Sequence, residues 1–273
     1  MAEILAAEVN RLRKATGAGM MDCKKALQES NGNFEEAIDV IRKKGQLVAS
    51  KRADRDATEG VVLAKVSGKK GAIIVLNCET DFVAKNENFV KFAESILELV
   101  LEKLPADLAT LKTLPFKDKT VEQIITEQIG IIGEKIDISD YAKIEAEEVI
   151  AYIHQGNKLA TLVGFNKKVN TQVGKDIAMQ IAAMAPVAVD KENVTKEVIE
   201  KEREIGREQA RLEGKPENML DKIADGKLNK FFKDSTLLNQ DFTKDSKKTV
   251  RQYLKEVDAE LTVTQFVRYV LKQ

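Results

Sequence analysis

Tryptophan is absent from this 273-residue chain, histidine occurs once, at His154, and cysteine twice, at Cys23 and Cys78. One histidine and two distant cysteines outside any CxxC spacing cannot assemble a typical zinc site. Two free thiols in a reducing cytoplasm are the simplest reading of that pair. Aromatic residues make up only 5% of the chain, and its lysine-rich stretches, such as IRKKG and DSKKTVRQ, are not interleaved with them. Base-stacking surfaces need that interleaving, so these stretches read as solvated faces. Net charge is missing too: Lys plus Arg and Asp plus Glu both number 44, so no global field recruits nucleic acid or a membrane surface. No apolar run approaches the ~20 residues needed to cross a bilayer. Charges spaced through MAEILAAEVNRLRK predict that no secretory leader is present. Neither GxxxxGK[ST] nor a GxGxxG after a strand occurs, so no bound nucleotide and no cofactor is expected.

What remains is a chain that is 43% apolar and 32% charged, the profile of a soluble globular protein. Residues 1–45 read as three short helices. Leu5, Val9 and Leu12 form one stripe; TGAG, Thr16 to Gly19, breaks the first helix; Met20, Cys23 and Leu27 share a face of the second. The third opens at Asn33, with Glu36 at capping-box spacing, buries Phe34, Ile38 and Ile41, and is expected to stop at Gly45. So few large apolar groups make a marginal unit of the kind used for docking. Residues 46–60 read as a helical extension fraying into a linker.

The period then changes. GVVLAKVSGKKGAIIVLNC reads as a β-hairpin, and NENFVKFAESILELVLEKL as a long helix with Phe89, Phe92, Ile96 and Leu99 or Val100 inward. The order recurs in EEVIAYIHQGNKLATLVGF followed by TQVGKDIAMQIAAMA, with Val61, Gly68, Ala72, Ile74 and Val75 opposite Val149, Gly156, Ala160, Leu162 and Val163. The predicted class is therefore α+β: a three-helix domain, then a core of two related hairpin-plus-helix subdomains. Boundaries fall at 1–54, 55–140 and 141–273. VTKEVIEKEREIGREQARLEG is charged almost all round and cannot sit in a core, so it is expected to project at about 190–230 as half of a helical hairpin. Its return partner is PENMLDKIADGKLNKFF. The terminal AELTVTQFVRYVLKQ alternates like a strand.

Three places invite a functional reading. In NCETDFVAKNENF a carboxylate and a ring, Asp81 and Phe82, stand where a strand should be turning, and the second repeat has no counterpart. Phe82 is either an anchor in its own core or a tool aimed outward. Met20 and Met21 are adjacent on a helix, so one should pack inward while the other offers an adaptable thioether surface. His154, in HQGNK, is most simply a turn residue bonded locally, with a surface-contact role as the minor reading. A Cys78–His154 thiol enzyme is a further minor reading, because a buried structural cysteine is commoner. An RNA-binding or scaffold protein docking through the three-helix domain is the alternative from another class.

LRKATGAGMMDCKKAL and NCETDFVAKNENF, in this order and spacing, closely resemble the elongation factor Ts family, guanine-nucleotide exchange factors for elongation factor Tu. The likeness extends through YIHQGNKLATLVGF, IAMQIAAMAP and KTVRQYLKE. It implies a ubiquitin-associated-like N-terminal domain, a two-subdomain core and a projecting hairpin. It implies a cytoplasmic translation factor that is not an enzyme and that binds elongation factor Tu in its GDP-bound and nucleotide-free forms. Thr80, Asp81, Phe82 and Val83 would then form the segment that enters beside the partner's magnesium site and displaces the ion. Arg13, Met20 and Met21 would grip the partner's nucleotide-binding domain, and His154 lies in the subdomain that also faces it. The chain departs from the family at Gln180, where many members carry histidine, and at TLLNQDF, where QPF is usual. It stops at FVRYVLKQ, whereas longer members continue into a C-terminal helical module.

Overall fold

The computed structural model describes residues 4–271. They fall into two compact units, one made of residues up to Leu63 with Ile74–Ala142 and the chain end from Val270, the other of Ala64–Ile73 with Lys143–Tyr269.

In the first unit, α1 (Ala6–Thr16), α2 (Met20–Glu29) and α3 (Phe34–Lys51) form the expected three-helix region. Leu12, Cys23, Leu27 and Ala37 are wholly or almost wholly buried at its centre. Burial of Leu12 and Leu27 stabilises by roughly 2–3 kcal/mol each, and the rest of this core is small residues. Leu5 does not join the stripe; it stands at the N-cap of α1, ahead of the first helical turn, and is 58% exposed. Asn33 caps α3, its side chain accepting from the Glu35 and Glu36 amides. That helix does not stop at Gly45. It runs on to Lys51, and Gly45 lies within it, at its crossing with α7, where it faces Gly130.

β1 (Glu59–Ser67) and β2 (Lys70–Cys78) meet at the two-residue turn Gly68–Lys69, as expected of SGKKG. A single turn, α4 (Asp81–Ala84), and the long α5 (Glu87–Lys103) follow. Next come α6 (Leu108–Thr113), the short pair β3 (Pro115–Phe116) and β4 (Lys119–Thr120), α7 (Val121–Ile132) and β5 (Asp137–Glu145). Phe89 and Ile96 of α5 are buried as expected, Val100 rather than Leu99 takes the next inward place, and Phe92 is only half-buried. Thr120 and Gln123 form a capping box at the start of α7.

The plan then recurs along the chain. β6 (Glu148–Ile153) and β7 (Leu159–Phe165) pair antiparallel from Glu148 opposite Phe165 to Ile153 opposite Ala160, and α8 (Thr171–Met184) follows. In both cases an asparagine caps the helix after the hairpin, Asn86 for α5 and Asn170 for α8. A third strand then joins beside the hairpin's second strand: β5 beside β2, and β10 (Val263–Val270) beside β7. The fold is thus α+β with two related subdomains. α9 (Lys196–Leu212) and α10 (Leu220–Ser235) form the predicted helical hairpin, closely packed where Gly206 faces buried Ala224. Their other faces carry ion pairs such as Arg207–Asp221. The short pair β8 (Asp241–Phe242) and β9 (Asp245–Thr249) and helix α11 (Val250–Val257) complete this unit.

Gln180 is a core residue with no exposed surface. Its amide donates to Gln240 Oε1 and the Asp241 carbonyl, both at 3.2 Å, and accepts from the Thr243 N–H at 2.8 Å. The TLLNQDF segment therefore owes its shape to side-chain amides that do the work a proline would otherwise do by restricting the backbone.

Candidate protein-interaction site

Eight residues, 79–86, separate β2 from α5, whereas five, 166–170, separate β7 from α8. The surplus holds α4, so the acid–aromatic pair does not sit in a simple turn. Thr80 is the N-cap: its hydroxyl accepts from the Val83 amide at 3.4 Å, and its carbonyl accepts from Ala84 N–H at 3.2 Å. Asp81 occupies the first helical position, where its carboxylate suits the positive end of the backbone dipoles, and pairs with Lys85 one turn on at 2.6 Å. That hydrogen bond raises the Lys85 pKa. Ala84 is buried and Val83 half-buried beneath this turn. Phe82 points the other way, 82% exposed.

A single helical turn has no stability of its own. The neighbourhood supplies it through an exchange of carboxylates. Glu134 Oε2 accepts from the backbone N–H groups of Glu79 and Thr80, at 3.1 and 3.0 Å, while Glu134 Oε1 accepts from the Thr80 hydroxyl at 2.6 Å. Glu79 reciprocates, its Oε1 accepting from the Lys135 N–H at 2.6 Å, and both its oxygens accept from Arg52 Nη1 at 2.8 Å. Lys135 Nζ donates to the carbonyls of Ala53 and Arg55. Gly133, at φ +82°, ends α7 in the left-handed conformation that lets the chain fold back so that both neighbours face residues 79–80. Beneath them the Cys78 thiol donates to the Thr80 carbonyl at 3.2 Å. Burial, then the negative charge of Glu134, pushes this thiol up to about 12, so it stays protonated. That is the wrong state for a nucleophile.

The Glu79 carboxyl is held below its ordinary range, first by the Lys135 N–H and then by Arg52. The unfolded chain therefore takes up this proton at a higher pH than the folded one. The stabilisation is complete above the ordinary glutamate value of about 4.3 and is lost as pH falls through the depressed folded value. Glu79→Gln, which keeps an acceptor but removes the charge, is expected to lower the melting temperature by about 2–4 °C at pH 7. The difference should shrink as the pH drops from 5 towards 3.5. A constant difference across that range would contradict the assignment.

The other predicted positions are exposed as well. Arg13 is on the outer face of α1. Met20 and Met21 are both exposed, 52% and 64%, against the expectation that one packs inward. Met20 opens α2 with its side chain outward, and Ala18, 5% exposed, takes the inward place just before it. In the second unit, His154 is exposed at the hairpin end, its Nδ1 sharing a 2.8 Å hydrogen bond with the Tyr152 hydroxyl and its N–H donating to the Leu159 carbonyl. This is the local bonding expected of HQGNK. Among the described residues, no group of three or more His, Cys, Asp and Glu side chains is placed to hold a metal ion, and no helix is long and apolar enough to cross a membrane.

Sequence reasoning missed Arg52, Glu79, Glu134 and Lys135. Glu79 was within reach, being an acid next to the motif. Nothing local connects Glu134 with Thr80, 54 residues earlier.

Residues 79–273 match the family model described as Elongation factor TS. The Elongation factor Ts of Christiangramia forsetii is 53% identical over 99% of this chain and all of its own length. That of Amoebophilus asiaticus is also 53% identical, over 98% of this chain and 99% of its own. The Elongation factor Ts of Bacteroides fragilis is 41% identical over 97% and 98%.

Proposed function

The chain belongs to the elongation factor Ts family, and from that premise we propose that it binds elongation factor Tu carrying GDP, inserts Phe82 beside the bound Mg²⁺ and promotes GDP release. Its role is in translation elongation. It transforms no substrate; it changes how tightly another protein holds one, in the cytoplasm. The observation that carries this reading is the Phe82 ring, exposed on a turn that is itself fastened at Thr80.

Mg²⁺ demands near-ideal octahedral geometry, and GDP is held largely through the metal and the phosphate cradle. A ring wedged into the adjacent packing moves the groups that position both, so metal and nucleotide bind less tightly. Linkage makes the effect reciprocal: GDP weakens the exchange factor as much as the exchange factor weakens GDP. A coupling of ~5 kcal/mol changes affinity a few thousandfold, more than the roughly 2–3 kcal/mol available from burying one ring. The remainder must come from a broad interface, for which the three-helix region of residues 1–54, with Arg13, Met20 and Met21, and the subdomain bearing His154 are the proposed sources. Exchange is accelerated in both directions, and an excess of GTP decides the outcome.

Release of a fluorescent GDP from elongation factor Tu should accelerate and saturate as this protein is added. No acceleration at saturating protein would overturn the proposal. A salt-sensitive affinity for RNA in its place would favour a nucleic-acid-binding scaffold.

A further inference from the structure

We propose that Glu134 is the positioning residue of the Phe82 turn, an inference that rests on the exchange reading above and assigns a role to a side chain outside the inserted segment. Four residues of helix leave their first amides unsatisfied, and so short a turn does not persist unaided. Phe82 adds nothing to its order, since its ring faces solvent. The Asp81–Lys85 pair is exposed on both partners and holds little.

Glu134 supplies the missing restraint, because its one carboxylate takes three donors from two consecutive residues, the N–H groups of Glu79 and Thr80 and the Thr80 hydroxyl. These are charge-assisted bonds, stronger than neutral ones. The third bond also fixes the hydroxyl rotor. With its hydrogen committed to Glu134, Thr80 Oγ1 presents a lone pair to the Val83 amide and so caps α4. The direction of the turn, and hence of the ring at its second position, is set by a residue that bonds to Glu79 and Thr80, ahead of the ring. Glu134 follows the Gly133 cap just beyond α7, a helix that crosses α3 at Gly45 and Gly130. The ring is thereby referred to the same rigid element that holds the three-helix region.

The test compares Glu134→Ala and Glu134→Gln with the unaltered chain in the fluorescent-GDP release assay with elongation factor Tu. Backbone hydrogen exchange is read alongside. Glu134→Ala is expected to lower the saturating release rate about tenfold with less than a twofold change in the half-saturating concentration, since the restraint matters only once the ring engages. Glu134→Gln, which keeps an acceptor, should recover part of the rate. Adding Glu134→Ala to Phe82→Ala should lower the rate no further, because the residue acts through the ring. Amides of residues 79–85 should exchange faster while those of α5 and α7 keep their protection.

An unchanged saturating rate, or losses that multiply in the double variant, would overturn the inference. Faster exchange spread over the whole unit would overturn it too, marking a general structural role. If the unaltered protein releases no GDP, the functional reading falls by itself. The hydrogen-exchange comparison then still decides whether Glu134 orders the turn.

Discussion

Replacing Phe82 by alanine is expected to lower the saturating rate of GDP release by about 30- to 150-fold, the equivalent of the roughly 2–3 kcal/mol from burying one ring. Initial binding to the GDP-bound partner should be nearly unchanged. The ring engages only on the way to release, and an interaction made only there is lost from the plateau, not from the half-saturating concentration. The fold should not notice. At 82% exposure the side chain has little packing to lose, and exposed substitutions of this kind stay within about 0.5 kcal/mol. Alanine is in addition the better helix former. Stopped-flow release and a thermal melt on one preparation separate the two readings of the residue: loss of exchange with an unshifted melt marks a tool, whereas a melt lowered by several degrees marks an anchor.

That contrast also shows what could be read from the chain alone. Hairpins, long helices and the charged α9–α10 pair were legible because their signals are local: alternation around Gly68, the 3.6-residue period of Phe89, Ile96 and Val100, and capping by Thr120 or Asn33. The repeat was legible because both copies keep that pattern at a constant offset. Phe82 stood out for the same reason, as a residue present in one copy and missing in the other. What escaped depends on pairs far apart. Gly45 looks like a helix end until Gly130 is seen beside it. Met20 sits at the right spacing to be buried, but burial needs a helix opposite, and spacing cannot say where that helix ends. Glu134 and Glu79 exchange partners across a loop whose closure no window of sequence spans.

The crossing of α3 and α7 sets two effects of glycine against each other. Gly130 lies inside α7, where replacement by alanine should gain about 1 kcal/mol from helix propensity alone. A Cβ at that position would stand 2.5 Å from the Gly45 Cα, backbone against backbone, with no rotamer to relieve it. Overpacking of this kind costs about 1–3 kcal/mol or more, so Gly130→Ala is expected to be destabilising despite the propensity gain. The neighbouring positions make the comparison decisive. A Cβ on Gly45 would lie 3.6 Å from the Gly130 Cα, an ordinary contact, and one on Gly226 in α10 would meet nothing within 4 Å. Gly45→Ala and Gly226→Ala should therefore melt at or above the unaltered chain, while Gly130→Ala melts several degrees lower. The Arg42–Glu127 pair beside the crossing is partly exposed, 3.6 Å long, and too weak to hold the helices once they are prised apart. Because Glu134 directly follows the Gly133 cap of α7, a displaced crossing should also blunt GDP release. A Gly130→Ala protein that melts no lower than the others would mean that the helices can separate at no cost, and that the three-helix region is not fastened through this contact.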